Sequence, residues 1–267
     1  MEYIINTAQF EKMIDNKIIG MPKLVESHLV FNGKNNILVC DNNIELNKVS
    51  IEFSGNNSIV YLGSDLKRDF KLRIFSNSTA YLGRDINSGV SVTINVFENQ
   101  NVIIGDDCFI GDFAYISNAD NYPIYTCDTK ERINYSNSIY VGDHVYLGHK
   151  SYISKGVKIG SGTIIDNASV VPSYAKIPSN TYLSGHPAKI VQNNVFFTKD
   201  FLGKFTTEDS VNSKNYKSDV FIFNIVDKET LSIQQIDNIL KDLDVESRLE
   251  FIQKLFIRNK RKNRFCI

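Results

Sequence analysis

The stretch Val141-Gly-Asp-His-Val-Tyr-Leu147-Gly-His-Lys-Ser-Tyr-Ile153-Ser-Lys-Gly-Val-Lys-Ile159-Gly-Ser-Gly-Thr-Ile-Ile165-Asp-Asn-Ala-Ser-Val-Val171 returns an aliphatic residue at every sixth position. Gly142, Gly148 and Gly160 follow three of these anchors directly, and Ser154 and Asp166 follow two others. A period of six suits neither an amphipathic helix nor one continuous alternating strand. It suits a short strand, a tight corner and another short strand, repeated. Three sides per coil place every anchor inside a triangular prism, and a small residue fits each corner. The spacing therefore predicts an all-β solenoid, a parallel β-helix.

Upstream the same step recurs at Ile104-Gly105, Ile110-Gly111 and Ile116-Ser117. Further back, Phe31, Phe53, Phe75 and Phe97 stand 22 residues apart. They predict wider coils of the same solenoid, with the four rings stacked down its interior. Residues 117–138 hold no sixfold anchor and contain Asp120-Asn121-Tyr122-Pro123, which predicts a long loop thrown out of the coils. The expected organisation is an N-terminal segment over 1–30, a β-helix over 31–192 with its loop at 117–138, and a C-terminal extension over 193–267. Near Thr7–Lys17 a short helix is expected. The extension should be helical from about residue 232, where Ser232 and Gln235 form a capping box, and Asp244 could cap a second helix.

Composition narrows the classes. The chain has 267 residues with 30 basic and 30 acidic side chains, so no excess of positive charge is available for general nucleic-acid binding. Its 29 Asn suit a chain that turns often, because Asn tolerates left-handed backbone. Cys40, Cys108, Cys127 and Cys266 lie far apart, without metal-finger spacing, and read as reduced thiols. With no apolar run long enough to span a bilayer, a cytoplasmic protein is expected, at most peripheral to the inner membrane.

Four segments follow one another in order: Asp120-Asn-Tyr-Pro-Ile-Tyr125, Asp128-Thr-Lys-Glu-Arg-Ile-Asn134, Val141-Gly-Asp-His-Val-Tyr-Leu-Gly148 and Ser184-Gly-His-Pro-Ala-Lys-Ile190. Together they resemble the hexapeptide-repeat, left-handed β-helix acyltransferases, most closely bacterial O-acetyltransferases of capsular and other surface polysaccharides, including sialic-acid polymers. The resemblance is specific over about residues 97–192 and looser over 31–96. It implies a homotrimer, acetyl-CoA as donor in a groove between subunits, no metal, and a glycan acceptor, with possible association with polysaccharide-assembly machinery at the inner membrane face. It also implies a loop His as general base, and an aromatic indole about 24 residues later.

Here Tyr122 occupies the position of that His, and Tyr146 that of the indole. A phenol is a weak base unless a cation lowers its pKa. Three explanations stay open: Tyr122 binds the acceptor while His149 or His144 takes the proton, Tyr122 is itself activated, or the chemistry is lost and a binding scaffold remains. Asp120 either orients a base or only closes a turn. The resemblance puts Tyr146, Asn167, Ala168, Ser169 and Lys189 beside the donor, with Lys189 near its phosphates. His144 and His149 could equally be ordinary outer-face residues, and their His-x4-His spacing lacks the third ligand that a zinc site would need. The basic end, Arg258 to Arg264, is either a solvated helix terminus or a patch for an acidic polymer.

Overall fold

The computed structural model describes residues 1–41, 44–66, 69–224, 232–258, 263–265 and 267. The sixfold anchors point inward: Val141, Leu147, Ile153, Ile159, Ile165 and Val171 are all fully buried, and the series continues through Ile177 and Leu183. Three sheets of parallel strands form the faces of a prism. The first face runs from His28–Phe31 to Val170–Val171, with Glu2–Ile4 added antiparallel at its edge. The second runs from Lys17–Ile19 to Lys176–Ile177. The third runs from Asn87–Ser88 to Thr181–Gly185 and is closed by the antiparallel strand Ala188–Asn193. Coils pack so closely at the corners that a Cβ on Gly142 would lie 2.6 Å from the amide nitrogen of Ser161. The small residues after the anchors are required by this approach of neighbouring backbones.

Parallel pairing begins at Lys17–Ile19, ahead of the boundary expected at residue 31. The N-terminal helix is a short 3-10 helix, Thr7–Lys12, and Lys17 already belongs to a strand. The phenylalanine repeat also differs from expectation. Phe31 pairs with Phe53, but Phe53 pairs with Ile74, so this coil is one residue shorter than the spacing of the Phe residues. A shift of one residue turns a strand side chain to the opposite face. Phe31 and Phe53 therefore stack inside at 4.6 Å, whereas Phe75 and Phe97 stack at 4.5 Å, half-buried at the surface. The asparagine load has a visible use: Asn35, Asn57, Asn77 and Asn99 each take positive φ at one corner. Their side-chain amides form a chain of hydrogen bonds of 2.9–3.1 Å from coil to coil.

The C-terminal extension wraps the prism. After the short helix α1 (Thr207–Asn212), helices α2 (Ile233–Asp242) and α3 (Val245–Ile252) lie on the outer side of the second face. There Ile59, Tyr61 and Tyr81 pack with Ile236, Leu240 and Phe256. The Ser232 hydroxyl accepts from the Gln235 amide at 3.2 Å, and the Asp244 carboxylate accepts from Ser247 at 2.8 Å. Strands such as Ile59–Leu62 are apolar on both sides, the pattern of a sheet covered twice. Arg264, which the sequence placed in a basic end read either as a solvated terminus or as a patch for an acidic polymer, is buried instead. Its guanidinium meets Asp143 at 2.8 and 2.9 Å and Asp106 at 3.0 Å. Arg258 is exposed, and Lys260, Arg261 and Lys262 lie outside the described residues. Cys40 and Cys108 are buried free thiols, Cys127 is an exposed one, and Cys266 lies outside the described residues. No described helix is long and apolar enough to cross a membrane.

Candidate functional site

At each corner a side chain on one coil accepts an amide N–H from the coil before it. Asp143 accepts from Asp106 at 2.7 Å, and Asp112 accepts from Val90 at 2.9 Å. His149 stands in the same series: its Nδ1 lies 2.9 Å from the amide of Asp112, and its own amide donates to Asn167 Oδ1 at 2.8 Å. The Asp112 carboxylate is also 3.3 Å from Nδ1. The two contacts require opposite tautomers. Accepting from the amide puts the ring proton on Nε2, whereas donating to the carboxylate frees the Nε2 lone pair. The ring is 44% exposed, so either form meets solvent.

Beside this corner, Phe109 and Tyr146 stack at 4.9 Å on the third face, and the His149 ring meets Phe109 edge-on at 6.1 Å. Burial pushes the Tyr146 phenol up from its ordinary value, so it stays a neutral donor at physiological pH. Asn167 and Ala168 are exposed on the next coil. The hairpin carrying His186 and Lys189 abuts them: the Gly185 amide donates to Ser169 Oγ at 3.1 Å, and Ser184 donates to Asp166 at 2.9 Å. His186, distant in sequence, thus reaches the corner column of His149, while Ser169 is fully buried with its hydroxyl already used. Tyr146, His149, Asn167, Ala168 and Lys189 consequently occupy one region.

Tyr122 and Asp120 occupy another. Their loop leaves the prism at the following corner, where Lys155 Nζ meets Asp120 at 2.6 Å and holds its carboxyl below the usual range. The nearly buried Asn134 amide donates to Asp120 Oδ2 and to the Tyr122 carbonyl, both at 2.8 Å, and accepts from the Ile124 amide at 2.7 Å. Arg132 forks onto Glu98 at 2.7 and 2.9 Å. On this fixed frame Tyr122 is 80% exposed, beside the exposed Ile124, Tyr125, Ile133 and Tyr135. One side of the prism, five to six residues or roughly 16–20 Å of strand, separates the two regions. Among the described residues no hydrogen bond or ring contact joins them.

His144 lies at a third corner, buried and left-handed at φ 54°. It meets Asp107 at 2.6 Å and the Phe197 carbonyl at 2.9 Å. His144 and His149 thus face different corners, and no described group of three His, Cys, Asp or Glu side chains is arranged to hold a metal. Sequence reasoning missed Asp112, Lys155 and Asn134. The first two occupy corner positions of the hexapeptide series, a signal that a rung-by-rung alignment of the coils exposes.

No family model matches the chain. A polysialic acid O-acetyltransferase of Neisseria meningitidis is 28% identical over 121 residues, 42% of this chain and 52% of its own length. The match therefore spans about half of that curated relative. Among solved structures, the polySia-specific acetyltransferase NeuO is 28% identical with a TM-score of 0.62, covering 74% of this chain and 93% of that one. The polysialic acid O-acetyltransferase OatWY shares the fold with a TM-score of 0.58 at 23% identity, covering 75% and 99%. The chain is thus similar in sequence to a polysialic acid O-acetyltransferase over part of its length, and it shares its β-solenoid fold with the solved enzymes of that specificity.

Proposed function

We propose that this protein transfers an acetyl group from acetyl-CoA to a hydroxyl of an acidic, sialic-acid-type surface polysaccharide, at a site shared between copies in a homotrimer. The separation of the Tyr122 loop from the His149 corner carries this reading. One chain holds two halves of a site on different corners, and a neighbouring prism brings a loop half against a corner half. The apolar side chains around Tyr122 supply a surface for that contact.

The corner fits a donor with a thin arm and a phosphorylated end. Asn167 and Ala168 are small and exposed, and Lys189 stands exposed on the adjoining strand as a point charge for phosphate. Ser169 does not line this surface, because its hydroxyl is used inside. Bound acetyl-CoA supplies the acetyl group as an activated thioester. A sugar hydroxyl attacks poorly unless its proton is removed during attack. His149 takes that proton in the tautomer whose Nδ1–H faces the Asp112 carboxylate, leaving the Nε2 lone pair outward, and returns it to the CoA sulfur as the thioester C–S bond breaks and the free thiol leaves. Tyr122 hydrogen-bonds the acceptor, and Asp120, tied to Lys155 and Asn134, fixes the loop that presents it.

The test is incubation of the purified protein with radiolabelled acetyl-CoA and polysialic acid, followed by mass analysis of the released sugars. Label in the polymer that is lost in His149→Ala supports the proposal. Polymer binding with no transfer of label would leave a non-catalytic glycan-binding scaffold.

A further inference from the structure

We infer that the C-terminal extension builds one wall of the same site: Phe197 packs beside Tyr146 to shape the place of the acceptor sugar ring, and His144 is the positioning residue that holds Phe197 there. This rests on the reading of the Tyr146 corner as part of the transfer site.

Residues 194–224 cross the corner at Gly142–His144 and are fastened on both sides of Phe197. Before it, the Asn180 side chain donates to the Val195 carbonyl at 3.1 Å, and the same amide holds the Phe221 carbonyl further along the segment at 2.8 Å. After it, Lys199 pairs with Asp85 at 3.0 Å and also with Asp107. Between these ties the His144 ring lies between two aromatic faces, 4.1 Å from Phe197 and 4.1 Å from Phe221, tilted from them by 7° and 10°. Its Nε2 lies 2.9 Å from the Phe197 carbonyl and its Nδ1 2.6 Å from the Asp107 carboxylate. One buried side chain thus contacts both the backbone carbonyl and the ring face of Phe197.

Attachment of the extension is already achieved by Asn180, Asp85 and Asp107, yet the Phe197 ring reaches further. It meets Tyr146 at 5.7 Å and 70°, an edge-to-face contact. A row of half-exposed rings then leads from His149 through Phe109 and Tyr146 to Phe197. An apolar aromatic surface ending in an imidazole matches a pyranose, whose C–H face packs on rings while its hydroxyls face a polar group. A pocket wall brought from 53 residues downstream of His144 also lets the acceptor surface vary without disturbing the coils.

The experiment compares wild type, Phe197→Ala, Phe197→Tyr and His144→Ala in steady-state transfer to oligosialic acid, with direct acceptor titration by NMR. Phe197→Ala should raise the acceptor KM about tenfold and leave the acetyl-CoA KM within about twofold, the scale of losing one wall of an apolar pocket. Phe197→Tyr should restore the wild-type value. His144→Ala should reproduce the acceptor defect although it lines no pocket, and amide exchange should rise at 196–199. An unmoved acceptor KM in Phe197→Ala, or equal rises in both KM values accompanied by a lower Tm, would overturn the inference while leaving the transferase standing. A wild type that neither binds nor acetylates the oligosaccharide would overturn the transferase reading itself.

Discussion

Removing Arg264 tests how the helices are joined to the prism. The side chain is 5% exposed and forks onto Asp143, which is 13% exposed, while also reaching Asp106. Burial pushes the Asp143 carboxyl up from 3.8 in spite of the fork, so desolvation is the larger effect there. In Arg264→Ala the carboxylate keeps, among the described residues, its amide contact from Asp106 at 2.7 Å. Leaving one member of a buried pair uncompensated costs about 3–5 kcal/mol. A urea or guanidinium melt followed by circular dichroism should show a loss of that size, with amide exchange over α2 and α3 rising in parallel. Adding Asp143→Asn removes the stranded charge and should recover part of the loss. A carboxyl with a raised folded pKa stabilises the fold below its unfolded value and loses that contribution as pH rises through the folded one. The penalty of Arg264→Ala should therefore grow from pH 4 to pH 7. A loss below about 1 kcal/mol at neutral pH would refute the assignment of this pair as the clasp.

Three further outcomes follow from named contacts. Phe53→Ala should cost about 3–5 kcal/mol in a denaturant melt and Phe75→Ala clearly less, because only Phe53 is inside; equal costs would contradict the register. The Arg132 fork and Ser136 lower Glu98 from 4.5 to about 2. Its contribution to loop docking is then present above about pH 4.5 and lost as pH falls toward 2, and Arg132→Gln, which leaves only the Ser136 contacts in place, should sharply reduce this dependence of loop amide exchange. His149→Ala should lower kcat by about 10²- to 10⁴-fold with the acceptor KM little changed, and a drop below tenfold would remove His149 as the base.

The coils were legible because one anchor per six residues is imposed by geometry at every corner, and Gly142 and Gly148 record the close approach of neighbouring backbones. The phenylalanine stack was misread for a physical reason. Sequence shows the spacing of the rings but not the length of the coil, and one residue fewer before Ile74 turned Phe75 outward. The docking of the extension had a signal in strands such as Ile59–Leu62, apolar on both sides, which implied a second cover. Arg264 looked like one charge of a basic run because its partners, Asp106 and Asp143, lie more than 120 residues away. The candidate site was legible residue by residue and not as an arrangement. Whether Tyr122 and His149 meet depends on which corner each occupies, and His186 joined the His149 column only through the closing hairpin.

The shared site is tested most directly by complementation between two inactive variants. Tyr122→Ala removes the loop half and His149→Ala the corner half. Co-expressed at equal levels with separate tags and isolated as mixed trimers, they should regain about a third of wild-type acetyl transfer to polysialic acid, because one of the three sites in each mixed trimer has both halves intact. Mixed oligomers as inactive as either parent would contradict a site built between copies.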